Sequence, residues 1–226
     1  MKKILFALAL SLGAATAAQA QVEIGLKITP SIGFHRASGS ATINTGEGVF
    51  KNTLDSDGSR VHFGGGVVID YFFGENYAFN TGIELVGKGG IIKMTTTPGG
   101  SATSYKLGLQ YVQVPLAIKL FTNEVAPDTR VYFLVGGQLG ALVGASIDGK
   151  KTVGLDDHKA SKNFNTFDAG VQVGAGAELQ LGKSTKAFGG FSYQHGLLNV
   201  LDKTYFGGDN FVAKNSGVNL DLGLKF

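Results

Sequence analysis

Apolar and polar positions alternate along most of this chain with a period of two. Within residues 166–181 the odd positions are Phe167, Ala169, Val171, Val173, Ala175, Ala177, Leu179 and Leu181. The even ones are Thr166, Asp168, Gly170, Gln172, Gly174, Gly176, Glu178 and Gln180, all polar or glycine. Successive side chains of a strand point to opposite faces, so this run predicts a strand with one apolar and one polar face. The same period recurs at residues 22–34, 61–73, 77–92, 105–121, 130–145, 188–198 and 214–226, which makes eight runs in all. Val68 and Phe72 interrupt the second run. In 105–121 the phase slips near Tyr111 and Val112, which predicts a β-bulge there.

The predicted connections alternate in length. "GEN", "TNEVAPD" and "GKSTK" join runs two to three, four to five and six to seven, whereas the segment 36–60 and the other links are longer and polar. Short turns at one end and long loops at the other describe an antiparallel meander. An even number of strands can close and leave no edge.

Two closed barrels fit this outline: a soluble one with its apolar face around a ligand, and a membrane one with that face in lipid and a polar interior. Aromatic residues decide between them. Phe34, Phe63, Tyr105 and Phe167 fall toward the long-loop ends, and Tyr71, Phe73, Phe79, Phe121 and Phe226 toward the short-turn ends. Two such belts resemble the interfacial girdles of membrane barrels. The prediction is an all-β fold, an eight-stranded antiparallel up-and-down transmembrane β-barrel over residues 21–226. Its polar face carries Glu23, Lys27, Arg60, Asp70, Glu84, Lys88, Lys119, Arg130, Asp168, Glu178, Asp221 and Lys225 toward the lumen. The glycines of that face leave room for long charged side chains.

The first residues add a destination. Two lysines, an apolar stretch and Ala18-Gln19-Ala20 read as a secretory signal peptide over 1–20, cleaved after Ala20. The apolar stretch is too short to span a bilayer. An exported chain without cysteine excludes a disulfide scaffold and thiol chemistry. The formal charge of +3 falls to about +1 without Lys2 and Lys3, which gives no electrostatic case for nucleic acid.

Several segments then carry a family resemblance: "IELVGKGG", "LQYVQVPLAIKLF", "YFLVGGQLGALVGA", "FDAGVQVGAGAEL", "FSYQHGLLNV" and the terminal "GVNLDLGLKF". In this order they resemble the PorT-like outer-membrane β-barrels of Bacteroidota, a porin-family outer membrane protein β-barrel domain. The resemblance implies an eight-stranded barrel in a Gram-negative outer membrane. Some members take part in gliding and protein-secretion machinery, and the family has no catalytic motif to carry over.

Candidate chemistry is sparse. "GASIDGK" at 144–150 begins like a phosphate loop, but Lys151 follows where Ser or Thr should stand, so it reads as a plain loop. "DDHK" at 156–159 reads as a solvated turn rather than a cation site. Ser192 and His195 lie three apart on a strand and point to opposite faces, so they cannot form a dyad. No catalytic, cofactor or metal residue is expected. The twelve lumen charges comprise six acids and six bases, a balance that predicts a paired, closed interior rather than a selective pore. The expected function is a non-enzymatic barrel, structural or embedded in an envelope assembly. A narrow small-solute channel is the alternative, and an outer-membrane lipid-modifying enzyme the third. Expected partners are outer-membrane lipid, an envelope protein at the long loops, and the outer-membrane insertion machinery, which would read the aromatic end at Phe226.

Overall fold

The computed structural model describes residues 22–45, 48–154, 158–206 and 210–226. The predicted leader with Ala20, and Asp156 and Asp157 of the "DDHK" stretch, lie outside the described residues.

The strands are β1 (Val22–Thr45), β2 (Gly48–Gly74), β3 (Tyr77–Lys88), β4 (Gly90–Thr97), β5 (Ser101–Ala126), β6 (Thr129–Ile147), a small pair β7 (Thr152–Val153) and β8 (His158–Lys159), then β9 (Phe167–Gln180), β10 (Lys186–Gly196) and β11 (Phe211–Lys225). A single 3-10 turn, Ala160–Asn163, follows β8, and a one-turn helix, α1 (Lys203–Phe206), precedes β11. β3 and β4 are two stretches of one wall strand, interrupted at Gly89. That residue has φ 136°, and a Cβ there would meet the Leu107 carbonyl of the neighbouring strand. Counted so, the main sheet is a ring of eight antiparallel strands: β1, β2, β3 with β4, β5, β6, β9, β10, β11 and back to β1. The closing seam runs from Gly25 opposite Lys225 to Gly39 opposite Phe211. Below it, Phe226 N–H donates to the Ile24 carbonyl at 2.8 Å. Closure pairs every wall strand on both sides, the condition for a sheet in hydrocarbon.

Turns of two residues join β2 to β3 at Glu75 and Asn76 and β5 to β6 at Pro127 and Asp128, at the same end as Val22 and Phe226. At the other end the walls run past the ring. The 36–60 segment expected to be a loop is strand almost throughout, because β1 and β2 stay paired to Thr45 opposite Gly48. Its alternation is weak because most of its residues meet water, and among its described residues only Leu54, with Ala37 and Ala41 beside it, packs on the interior apolar cluster. β4 continues the sheet against β2, and β5 against β4, as far as Thr96 opposite Ser101. The β1–β11 pairing stops at Gly39 and the β5–β6 pairing at Leu107, so these four strands form a flap standing beyond the ring. β2 alone has 27 residues, where about 9–11 suffice to cross a membrane.

The outer face is the apolar row. Leu26, Ile28, Phe63, Ile83, Phe133, Val173 and Phe191 are all more than half exposed there. So continuous an apolar belt is stable only against lipid or a partner. Val68 and Phe72 do not break the facing of β2. They turn inward in phase with Asp70, and Val68 is buried.

Three expectations are corrected. Tyr105 and Phe121 do not join the outer belts: Phe121 stacks inside on Phe72 and lies tilted against Tyr132, and Tyr105 packs against the interior apolar cluster. The facing of β5 never slips, since Leu107, Leu109, Tyr111, Gln113, Ala117, Lys119 and Phe121 are all buried in one phase. The register does shift at Gln110 and Tyr111, but the extra residue is Val143 on the facing strand β6, which bulges outward. Third, "GASIDGK" is not a loop through its length. Gly144 to Ile147 belong to β6, and Ile147 and Lys150 exchange backbone hydrogen bonds around Asp148 and Gly149. Both central residues have positive φ, 51° and 82°, the geometry an Asp-Gly hairpin turn favours.

Candidate functional site

The interior is the part of the molecule with chemistry in it, and it is built in storeys. At the turn end Lys225 is a hub. It reaches Asp70 at 2.5 Å and Glu23 at 3.3 Å, and it also pairs with Glu178. Lys119 contacts Asp70 at 2.9 Å and Glu178 at 3.7 Å, and Lys186 closes the group on Glu23. Three carboxylates thus meet three ammonium groups, contributed by β1, β2, β5, β9, β10 and β11. Every one of them sits on the inward phase of its strand, which is why residues so far apart in sequence converge.

The second storey has Lys27 between Glu84 at 2.9 Å and Asp221 at 3.2 Å. Here two carboxylates face one lysine, and hydroxyls supply the balance: Thr29 and Ser192 each donate to Asp221 at 2.9 Å. The third storey is Lys88 with Asp168 at 3.1 Å, and Asn215 donates to the same carboxylate at 2.9 Å. Charges withdrawn from water must be paired and hydrogen-bonded or they destabilise the fold. The six acids named here all have a lysine partner, although Glu84 Oε1 and Asp168 Oδ1 are buried without a hydrogen bond among the described residues.

Aromatic rings fill the space between the charges. Lys119 lies 4.7 Å from the Tyr132 ring centroid, and Lys225 lies 5.7 and 5.6 Å from Phe121 and Phe188. The rings need the glycines opposite them: a Cβ on Gly190 would lie 2.5 Å from the Tyr132 hydroxyl, and one on Gly223 the same distance from the Phe188 ring. The inward glycines therefore make room for rings as well as for charged chains.

Above the third storey the interior changes character. Leu54, Ile92, Leu107, Leu109 and Tyr111 from the walls pack with Phe164, Val200, Leu201 and Phe211 from the loop end, all at most 5 % exposed. The loops carrying them fold into the mouth and are clamped by two asparagines. Asn165 Nδ2 donates to the carbonyls of Asn199 and Leu201 at 2.9 and 3.0 Å. Asn199 in turn donates to the Phe211 carbonyl at 3.0 Å and accepts from the backbone N–H groups of Leu201 and Ala213. An apolar stopper thus sits on a charged stem. The stem keeps a cavity of about 20 Å³ beside Lys88 and Asn215 and one of about 30 Å³ beside Lys27 and Lys119, room for about one or two waters each.

Two of the predicted charges stand apart from the storeys. Arg130 lies at the turn end over the Phe121 ring, 4.7 Å from its centroid, and donates to the carbonyls of Glu75 and Thr122. Arg60 belongs to the loop half, with a buried Nη1 that finds no hydrogen-bond acceptor among the described residues. Lys186 was not foreseen, although it shares the inward phase of Phe188 and Ser192. Phe226 ends the chain on the outer face, 61 % exposed. Ser192 is buried on Asp221 while His195 meets Tyr193 on the other face, so the two are not in contact. His158 contacts the Asn163 side chain at 2.8 Å. Among the described residues no three His, Asp or Glu side chains are grouped to hold a metal.

A closed antiparallel ring with an apolar outer belt and a paired interior defines a transmembrane β-barrel. The chain belongs to the outer membrane protein β-barrel domain family, whose sequence profile matches residues 17–202. No curated protein matches it in sequence. Among solved structures it is similar to Neisserial surface protein A (13 % identity, 88 % of this chain and 95 % of that one, TM-score 0.45). It is similar too to OprG from Pseudomonas aeruginosa (10 % identity, 91 % and 97 %, TM-score 0.48). A third is Ail, the attachment invasion locus protein of Yersinia pestis, in complex with the heparin analogue sucrose octasulfate (12 % identity, 91 % and 99 %, TM-score 0.41).

Proposed function

We propose that this protein is a non-enzymatic barrel of a Gram-negative outer membrane with a closed lumen, acting as a membrane-embedded component of an envelope assembly. One observation carries the reading: inward of an open recess of about 430 Å³ at the turn end, the lumen is filled by paired charges and then by an apolar stopper, with cavities of about 20 and 30 Å³ inside the charged part. A filled barrel offers a partner its outer belt and the surface beyond the membrane. Here that surface is large, because the β1–β2 and β4–β5 hairpins stand well past the ring.

The finer attributions belong to the same proposal. The quoted segments support a PorT-like barrel of Bacteroidota. The leader is cleaved after Ala20, and the insertion machinery reads the terminal strand through Phe226. Deleting Phe226 should leave more unassembled protein in the periplasm at low expression.

The closed lumen is tested by conductance. Purified protein in planar bilayers should give no steady current, and reproducible open steps would replace this reading with that of a narrow solute channel.

A further inference from the structure

Beyond the ring, the concave side of the flap and the clamped loops enclose a cavity of about 1070 Å³. One wall is the inward phase of β1 and β4, including Ile43 and Met94; the other is the hairpin that carries Lys150 and Lys151. Its floor is apolar: Ile92, Leu107 and Phe211 are the top layer of the stopper, and Tyr105 packs beside them. The cavity is therefore a blind cup and not the vestibule of a pore.

We propose that this cup binds a small amphiphile with an apolar body and a single anionic head, of the fatty-acid type. Three observations point there. The volume is that of a site for a small organic ligand. Ile43 remains 48 % exposed on the cup wall, although its phase along β1 is that of the buried interior rather than of the lipid face. Among the described residues of the lip, two adjacent exposed lysines stand against one carboxylate, Asp148. That carboxylate is already engaged, since its Oδ1 accepts the Lys106 backbone N–H at 2.8 Å. The lip thus presents positive charge above a greasy floor, which is the complement of a carboxylate on a hydrocarbon chain. The stopper keeps such a molecule from entering the barrel, so the cup captures it at the outer surface. This goes beyond the closed-barrel reading but rests on it, because the stopper is the floor of the cup; conductance tests that reading and ligand binding tests the cup.

The test uses the full chain in lipid nanodiscs, titrated with 11-(dansylamino)undecanoate and with its uncharged methyl ester. Saturable binding of the acid above that of protein-free nanodiscs is expected. Joint reversal of the lip, Lys150→Glu with Lys151→Glu, should weaken the acid about tenfold, equivalent to ~1.4 kcal/mol, and leave the ester within about twofold. Met94→Trp, which fills the cup, should weaken both. Both lysines are exposed, so the lip variant keeps the fold; each variant is scored after its unheated gel mobility matches wild type, and the lip variant decides alone if Met94→Trp fails to fold. Dansyl signal that rises only in proportion to lipid, or an acid affinity unchanged by the lip variant, would overturn the proposal.

Discussion

The two halves of the lumen solve one packing problem in opposite ways. The turn half is filled by lysines, carboxylates and rings, held by Lys225, Lys119 and Lys27. The loop half is filled by Leu54, Ile92, Leu107 and the apolar residues of two loops. The difference follows from what can be delivered to each place. Only short turns close the lower end, so wall side chains must reach the axis unaided, and long lysines do so. At the upper end the chain has loop to spare, and it folds back into the mouth with apolar groups. A charged filling depends on every partner being present, while an apolar one tolerates loss in proportion to volume.

That contrast sets the size of mutational effects, read as shifts in urea unfolding of protein in phospholipid vesicles. Lys225→Ala strands Asp70, Glu23 and Glu178 around a missing charge, and should cost about 3–5 kcal/mol. A loss comparable to a surface pair would mean that the turn half is hydrated rather than packed. In the loop half, Leu107→Ala should cost about 2–5 kcal/mol, according to how far the cluster collapses into the space. An unchanged midpoint would show that the stopper is not seated in solution. On the outer face, Val173→Arg should cost about 2–4 kcal/mol if the site lies near mid-membrane, and less if it is shallower. Gln172→Arg, one residue along and inward, should cost less because Asp168 and Glu178 share its face. The reverse order would contradict the facing of β9. The smallest effect sharpens the boundary between the halves. Replacing the ion pair of the third storey, Lys88→Met with Asp168→Leu, extends the apolar filling one layer down and should cost only about 1–3 kcal/mol, the penalty for leaving the buried Asn215 amide without its acceptor. Either single replacement should be clearly worse, and a double variant as damaged as the singles would show that the storey is irreplaceable.

Much of this was legible from parity alone. Val171, Val173 and Ala175 lie on the outer phase of β9 because a strand in lipid needs a contrast between its faces, and that contrast survives in the sequence. The ring closure and the short turns at "GEN" follow from the same periodicity. Alternation fails where the contrast vanishes. Leu107, Leu109 and Tyr111 are apolar and inward, so in β5 they resemble a lipid face slipped by one residue, and the pattern predicts a change of phase where the facing is continuous. The true bulge, at Val143, sits in a strand whose small residues on both faces conceal a slip. Sequence alone assigns Tyr105 and Phe121 to the outer belts for the same reason, since hydrophobicity reports that a side chain avoids water without saying on which side. Which lysine meets which carboxylate depends on barrel register, and the Asn165 and Asn199 clamps join segments about 34 residues apart without any local signal.

The central claim is that the outer phase meets lipid and the inner phase meets the protein's own side chains. The chain has no tryptophan, so single tryptophans can report it without background. Phe133 and Phe121 lie on neighbouring strands, one rung apart, since Phe121 pairs with Tyr132. The first is 54 % exposed on the belt and the second 6 % exposed inside. In vesicles of brominated phospholipid, Phe133→Trp should be strongly quenched and Phe121→Trp only weakly. Equal quenching of the two, or stronger quenching of Phe121→Trp, would mean that the faces are reversed, and the transmembrane account would fall with them.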